Sequence, residues 1–139
     1  MLFRSDGAGV SIWKRAGKHV AILSGRRSAA VDHRAAELGI TPVIQGMKDK
    51  SGPFRALIAD LGLDAAQVCY VGDDLPDLPV LMAVGLSACP GDAAPEVRES
   101  VHLVVDANGG CGAVRAVIEA ILKSQGLWDN LIAQLRIPA

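Results

Sequence analysis

Aromatic residues are scarce in this sequence: it has two Phe, two Trp and one Tyr in 139 residues, although 50% of the chain is hydrophobic. A folded core must therefore be built mainly from Val, Ile, Leu and Ala side chains. A chain of this length suggests one domain, and it buries roughly two-thirds of its surface on folding. We therefore expect a single domain over residues 1–139 with an aliphatic core.

Long apolar runs and blocks of like charge are also missing. The net charge is −1, and no apolar run approaches the roughly 18 residues that a membrane-spanning helix needs. The N-terminus has no hydrophobic region of the secretory type. Without a basic patch, neither nucleic acid nor a membrane surface is an expected partner. Three widely spaced cysteines, outside any Cys-x-x-Cys pair, predict reduced thiols in a cytoplasmic protein: Cys69, Cys89 and Cys111.

Several common catalytic motifs are absent as well. The sequence has no Gly-x-Ser-x-Gly, no Cys/His pair and no phosphate loop of the Gly-x-x-x-x-Gly-Lys-Ser/Thr type. His19, His33 and His102 are spaced like no metal-binding motif, so we expect structural roles for them.

Short β-prone runs alternate with helical patterns along the chain. The predicted strands cover residues 19–23, 42–45, 68–71, 85–88 and 101–105. The predicted helices begin at residues 7, 28, 51, 78, 94, 113 and 127. This alternation predicts a Rossmann-like, three-layer α/β/α fold with a mainly parallel sheet and right-handed crossovers.

The strongest functional signal is an acidic loop after the third predicted strand. Gly72 ends that strand, and Asp73, Asp74 and Asp77 follow within six residues. Carboxylates at the carboxyl end of a buried strand lie where open α/β sheets bind ligands. Mg²⁺ would offset their repulsion, since it favours one or two carboxylates plus substrate phosphate. The alternative is turn chemistry, with Asp77 as the N-cap of the next helix and Pro79 in its first turn.

Two other predicted strands end in residues that suit an anion. Ser24, Gly25 and Arg26 follow the first strand and offer a hydroxyl, a permissive glycine and a cation at a helix N-terminus. Lys48 and Lys50 follow the second strand, and a lysine can neutralise a phosphate. Each feature alone is better explained as an ordinary cap or a solvated charge. Together with the acidic loop they describe phosphate and Mg²⁺ chemistry.

These residues resemble motifs two, three and four of the haloacid dehalogenase-like phosphohydrolases. The motif residues are Ile22-Leu23-Ser24-Gly25-Arg26, Lys50 and Gly72-Asp73-Asp74-Leu75-Pro76-Asp77. Within that superfamily the chain resembles most the sugar-acid phosphatases of lipopolysaccharide biosynthesis that act on 3-deoxy-manno-octulosonate 8-phosphate. Supporting stretches extend the resemblance over about residues 2 to 125, including Asp6-Gly7-Ala8-Gly9 and Gly109-Gly110-Cys111-Gly112.

The resemblance implies a role for each residue that would meet the substrate. Ser24 and Gly25 would bind the transferring phosphoryl group. Lys50 would neutralise that group and the attacking carboxylate. Arg26 and Asp6 would face a phosphorylated sugar acid.

It also implies a Mg²⁺ site and an oligomer. Asp73 would ligate the metal, Asp77 would ligate it or orient a metal-bound water, and Asp74 would support the loop. The resembled phosphatases assemble as tetramers, so we expect a homo-oligomer. Cys111 stands where those phosphatases carry an arginine, so one substrate contact is expected to be lost.

The main departure from the family pattern is the first motif. Family phosphatases begin with a central strand that ends in Asp-x-Asp, whose first Asp attacks phosphorus, and residues 1–139 contain no Asp-x-Asp. We therefore expect a domain that is short at its N-terminus, lacks that strand and is inactive alone. The strands at residues 19–23 and 68–71 would then pair directly, or another subunit would fill the gap. The alternative is a non-catalytic binding or assembly remnant of the same fold.

Overall fold

Strands and helices alternate along residues 4–139, the part of the chain that this computed structural model describes, with side chains from Asp6 onward. The strands are β1 (Ile22–Ser24), β2 (Val43–Gln45), β3 (Cys69–Val71), β4 (Leu86–Cys89) and β5 (Leu103–Val104). The helices are α1 (Arg4–Arg15), α2 (Ala29–Leu38), α3 (Ser51–Asp60), α4 (Leu78–Leu81), α5 (Pro95–Ser100), α6 (Ala113–Ser124) and α7 (Trp128–Leu135). No helix within residues 4–139 is long and apolar enough to cross a membrane.

All strand pairs are parallel, as the alternating pattern predicts, but the strands form two sheets. β1 pairs with β2, with Leu23 opposite Ile44, and the other sheet has the order β3-β4-β5. Direct pairing of the strands at residues 19–23 and 68–71 is therefore wrong for the described residues, since β1 and β3 share no ladder. The absent central strand stays a prediction.

Four of the described strands, β1, β2, β3 and β5, have a ladder on one side only, and none of their residues is fully buried. Every residue of β1 and of β3 is half-buried, whereas Ala88 and Cys89 of β4, which pairs on both sides, are fully buried. An unpaired strand edge exposes backbone N–H and C=O groups. β1 and β3 therefore each keep one edge on which a further strand can pair.

Helices join the two sheets through aliphatic packing. Phe54 of α3 and Val80 of α4 form a buried cluster that contacts both Leu23 of β1 and Tyr70 of β3. A second cluster lies among α1, α6 and α7 and contacts Ile22 of β1. The buried core is dominated by Val, Ile, Leu and Ala, which confirms the aliphatic core expected from the composition.

Local sequence signals explain where α2 begins and ends. The Ser28 side chain accepts a hydrogen bond from the Val31 N–H at the N-terminus of the helix. Gly39 ends it with φ of 65°, a left-handed conformation that glycine adopts without a Cβ clash. The helix predicted from residue 28 is thereby confirmed. It places the loop after β1, including Ser24, ahead of a capped helix N-terminus.

The histidine most closely bound to the sheet has a structural role, as expected. His102 Nδ1 accepts a hydrogen bond of 2.9 Å from the backbone N–H of Ser87 in β4. His33 forms an exposed i, i+4 pair with Glu37.

Helix α1 begins earlier than the predicted start at residue 7, and Asp6 lies inside its first turn. The Asp6 side chain is fully buried, and its Oδ1 accepts a hydrogen bond of 3.0 Å from the Arg115 N–H at the start of α6. The N-cap of α6 is Gly112, which has no side chain to offer. Asp6 therefore caps α6 from another helix, and its expected contact with substrate stays a prediction.

Replacing Asp6 tests this cap. Asp6→Ala should lower the free energy of unfolding by about 1–3 kcal/mol, because it leaves the Arg115 N–H at the start of α6 without its carboxylate acceptor. Asp6→Asn should cost less, since the side chain keeps an oxygen acceptor. Urea unfolding followed by circular dichroism measures both. Asp60→Ala, at an exposed aspartate, is the control; an equal effect of Asp6→Ala and Asp60→Ala would contradict the cap.

Candidate functional site

The loops that follow β1, β2 and β3 lie against one another. Lys50, after β2, donates from Nζ to Oδ1 of Asp77, after β3, at 2.6 Å. Gly25, after β1, is so close to the Lys50 loop that a Cβ added to it would lie 3.4 Å from the Met47 carbonyl oxygen and 3.7 Å from Lys50 Cε. The structure therefore brings together the three loops whose chemistry the sequence singled out.

Asp77 is the centre of the site's hydrogen bonding. Its Oδ1 accepts from Lys50 Nζ and from the Tyr70 hydroxyl at 2.8 Å. Its Oδ2 accepts from the backbone N–H groups of Asp73 at 3.0 Å and Asp74 at 3.2 Å. The residue is only 4% exposed. Asp77 thus anchors its own loop and the lysine loop at the same time.

The contacts of Asp77 correct one predicted detail. Asp77 occupies the N-cap position of α4, as the turn-chemistry alternative proposed, but its side chain makes no capping hydrogen bond to that helix. The carboxylate turns back to its own loop because the Asp73 and Asp74 N–H groups converge on Oδ2. The capping bond in this segment comes from Asp74, whose Oδ1 accepts from the Leu75 N–H at 2.8 Å.

Burial and hydrogen bonding act in opposite directions on the Asp77 carboxyl. Burial would raise its pKa, but the hydrogen bonds from Lys50, Tyr70 and the Asp73 N–H, together with the lysine charge, outweigh it and lower the pKa below its ordinary value. Burial, reinforced by the Asp77 charge, raises the pKa of the Tyr70 hydroxyl far above its usual range. Asp77 is therefore a carboxylate and Tyr70 a protonated donor at neutral pH.

Gly72 allows Asp77 to fold beneath the loop. A Cβ at residue 72 would lie 2.6 Å from the Asp77 Cβ and 2.9 Å from its Oδ2, closer than real Cβ contacts come. A side chain at residue 72 would therefore displace Asp77 from its buried position.

Asp73 and Asp74 are exposed, in contrast to Asp77. They line an open cleft of about 450 Å³ with Asp92, Ala94 and Gly109. The described side chains include no group of three His, Cys, Asp or Glu residues that could hold a metal ion by themselves. One or two exposed carboxylates beside a cleft fit Mg²⁺, which completes its shell with water and substrate oxygens. They do not fit a closed site made of protein ligands.

The predicted anion-binding residues lie at the edge of the same region. Ser24 is half-buried, and its Oγ accepts a hydrogen bond of 3.3 Å from the Arg26 N–H. Arg26 and Lys48 are exposed, whereas the Lys50 side chain is only 11% exposed. Lys50 is thus the cation whose position is fixed by a partner. The phosphate-binding roles of Ser24, Gly25 and Arg26 stay predictions.

Two contributors were not predicted from the sequence. The sequence predicts Tyr70 only as a strand residue, and the role of its hydroxyl is visible only through the contact with Asp77. Asp92 follows β4 just as Asp73 follows β3, so the rule that ligands meet the carboxyl ends of parallel strands could have found it. Its Oδ1 accepts a hydrogen bond of 2.8 Å from the Gly109 N–H, which ties the loop after β4 to the loop before α6.

The chain belongs to the haloacid dehalogenase-like hydrolase family, whose sequence pattern matches residues 6–85. Within that family it is similar to 3-deoxy-D-manno-octulosonate 8-phosphate phosphatase KdsC of Yersinia pestis, at 42% identity over 86% of this chain and 64% of the relative. The enzyme of the same name from Escherichia coli is 40% identical over 93% of this chain and 69% of its own length. The chain thus spans about two-thirds of these relatives.

Solved structures agree with the sequence comparison. A probable YrbI family phosphatase from Pseudomonas syringae superposes with a TM-score of 0.95 at 40% identity, covering 100% of this chain and 79% of that one. A 3-deoxy-D-manno-octulosonate 8-phosphate phosphatase from Moraxella catarrhalis, solved with magnesium ion, phosphate ion and KDO, gives 0.93 at 39% identity, covering 96% of this chain and 77% of that one. The predicted family and its α/β fold are confirmed.

Adding a methyl group at residue 72 should disturb the site. Gly72→Ala should lower the free energy of unfolding by about 1–3 kcal/mol, because Asp77 must move away from the new Cβ. Gly52→Ala is a matched control: nothing lies within 4 Å of a Cβ there, and alanine should stabilise α3 by about 0.4–1 kcal/mol. Thermal unfolding measures both variants. Equal shifts in the same direction would refute the close-packing argument.

The depressed pKa of Asp77 predicts how stability changes with pH. At pH 7, Asp77→Asn should lower the free energy of unfolding by about 1–3 kcal/mol, because Lys50 and two backbone N–H groups lose a carboxylate acceptor. The native carboxylate contributes this stability above its unfolded pKa of about 3.9, and the contribution is lost as pH falls through the lower folded value.

The native chain and Asp77→Asn should therefore differ less in their free energy of unfolding as the pH falls from about 5 to about 3. Urea titrations at several pH values test this, with Asp60→Asn as the exposed control. A difference that stays constant down to the lowest pH would show that the folded pKa of Asp77 is not depressed.

Proposed function

We propose that this chain forms the phosphate- and Mg²⁺-binding side of a phosphomonoesterase that acts on a phosphorylated sugar acid. The observation that carries the proposal is the 2.6 Å contact between Lys50 and Asp77, which joins the lysine loop to the acidic loop beside an open cleft. A fixed cation next to exposed carboxylates is the arrangement that a phosphoryl group and a divalent cation require together.

Lys50 is the group proposed to neutralise the phosphoryl oxygens. Its ammonium has three N–H groups, and among the described residues it donates to Asp77, which leaves donors for a ligand. Ser24 is proposed to donate a hydrogen bond from its hydroxyl to the same phosphoryl group, with the Gly25 N–H group beside it, while the Arg26 N–H donates to the Ser24 oxygen. These donors stabilise charge on the equatorial oxygens as the ester P–O bond breaks.

Mg²⁺ is the proposed cofactor, with Asp73 as its direct ligand and Asp74 supporting the loop. When bound, the ion would neutralise phosphoryl charge and orient the group for displacement. Both Asp77 oxygens accept protein hydrogen bonds, so Asp77 is better suited to orient a metal-bound water than to ligate the ion directly. The M. catarrhalis relative, solved with magnesium, phosphate and KDO, supports the choice of Mg²⁺ and of a sugar acid.

The attacking group is proposed to come from a further strand. Residues 1–139 contain no Asp-x-Asp, and the covalent route of the family's phosphatases uses the first aspartate of that motif as its nucleophile. β1 and β3 each have one unpaired edge, as β2 and β5 do, and the loops after β1, β2 and β3 meet around Gly25, Lys50 and Asp77. A strand paired with both edges would end beside those loops. On this proposal residues 1–139 alone bind phosphate but turn over negligibly.

A second candidate is a binding or assembly module without turnover. The observation that favours it is the same lack of an Asp-x-Asp, combined with a site whose cation and anion-binding loops are in contact.

Cytoplasmic location and a homo-oligomer are proposed from the three free cysteines and the resemblance. Light scattering of the purified chain measures the oligomer directly.

Phosphate release tests the proposal. With Mg²⁺ and either p-nitrophenyl phosphate or 3-deoxy-manno-octulosonate 8-phosphate, residues 1–139 should turn over below about 0.1 s⁻¹, well under ordinary enzyme rates. Fusing an upstream strand that ends in Asp-x-Asp, taken from the E. coli relative, should raise turnover to about 1 s⁻¹ or more.

Two matched variants make the fusion experiment decisive. The fusion with both introduced aspartates changed to Asn, and the fusion carrying Lys50→Met, should each stay inactive. Fast turnover by residues 1–139 alone would disprove the need for a further strand. A folded fusion that binds phosphate but never releases product would favour the module without turnover.

A further inference from the structure

The Tyr70 hydroxyl lies inside the site but has no part in the roles described so far. It donates to Oδ1 of Asp77 at 2.8 Å, and that oxygen is the one that accepts from Lys50 Nζ at 2.6 Å. Tyr70 is the single tyrosine of the sequence. Two donors, Tyr70 on strand β3 and Lys50 on the loop after β2, therefore converge on one carboxylate oxygen.

The ring of Tyr70 is held firmly enough to act as a fixed reference. It belongs to strand β3 and contacts two buried clusters, one that includes Leu81 and Val97 and one that includes Phe54 and Val80. The lysine, by contrast, carries its charge on a flexible four-carbon chain. A rigid aromatic donor and a flexible cation thus share the same acceptor.

The two oxygens of Asp77 are held by different parts of the structure. Oδ2 is fixed to the loop by the Asp73 and Asp74 N–H groups. On the described residues, Oδ1 receives only side-chain donors, Lys50 and Tyr70. The tyrosine hydroxyl therefore helps to set the orientation of the carboxylate plane. That orientation in turn sets where the Lys50 ammonium lies.

We propose that Tyr70 is a positioning residue for Lys50, that it acts through Oδ1 of Asp77, and that it thereby sets the affinity of the site for a phosphoryl group. The inference rests on the proposed function, because it takes phosphate as the ligand of Lys50. Tyr70 itself touches neither substrate nor metal in this account. Its contribution is to keep the ammonium where two N–H groups can reach a phosphoryl oxygen.

Tyr70→Phe tests the proposal because it keeps the ring and removes only the hydroxyl. We expect the dissociation constant of inorganic phosphate, titrated into the unaltered 139-residue chain and the variant with Mg²⁺ and followed by phosphorus NMR, to rise about three- to tenfold in the variant. Ser124→Ala is the matched control, since its hydroxyl bonds the Ile121 carbonyl at the far end of α6. It should leave the phosphate affinity unchanged.

A double-mutant cycle separates positioning from a general structural effect. If Tyr70 acts through Lys50, then Tyr70→Phe should have no further effect on phosphate affinity once Lys50→Met is present. If its role were only structural, the two effects would add. Circular dichroism confirms that each variant is folded.

Each outcome bears on one of the two proposals. Additive effects, or a Tyr70→Phe affinity within twofold of the native chain while Lys50→Met still weakens binding, would overturn the role of Tyr70 and leave the proposed function intact. Absence of phosphate binding by the unaltered folded chain would overturn both.

Discussion

The ion pair between Lys50 and Asp77 is the interaction on which the rest of the site depends. Lys50 follows the sheet formed by β1 and β2, and Asp77 follows the sheet formed by β3, β4 and β5. These sheets share no ladder among the described residues, so side-chain contacts and helix packing must fix their relative position. Packing around Phe54 and Val80 does this from the apolar side, and the ion pair does it at the rim where the chemistry is expected.

A buried ion pair stabilises a fold only when its desolvation cost is offset by further hydrogen bonds. Asp77 meets that condition, since it accepts four hydrogen bonds and the described side chains leave no buried polar atom without a partner. The same contacts define the position of Lys50. A substitution that changes the stability of the acidic loop therefore also changes where the Lys50 ammonium lies. Changes at Gly72 or Tyr70 are therefore expected to affect both.

Much of this fold was predictable because its signals are local. Alternating β-prone and helical runs, Ser28 at one helix start and Gly39 at its end gave the elements within a few residues. The division into two sheets was not predictable, because the order in which parallel strands pair is absent from local patterns. The same limit hid the cap that Asp6 provides to α6, since the bonded residues lie 109 positions apart.

The acidic loop shows where prediction of a site from residue types ends. Asp73 and Asp77 are both aspartates and lie four positions apart. Asp73 is exposed beside the cleft, whereas Asp77 is buried and accepts four hydrogen bonds. Their sequence context predicted carboxylates at a strand end, but not which one would turn inward. Gly72 decides which aspartate turns inward, because a Cβ at residue 72 would fill the space that Asp77 occupies.

The inward turn of one aspartate has a chemical consequence for the other. A carboxylate whose lone pairs are taken by protein donors is a poor direct ligand for a hard cation, whereas an exposed one beside a cleft is a good ligand. The loop thus places two identical side chains differently: Asp77 holds the Lys50 ammonium, and Asp73 stays exposed beside the cleft, where the Mg²⁺ site is proposed. This difference follows from burial and hydrogen bonding alone, and it would hold whether or not a further strand supplies a nucleophile between β1 and β3.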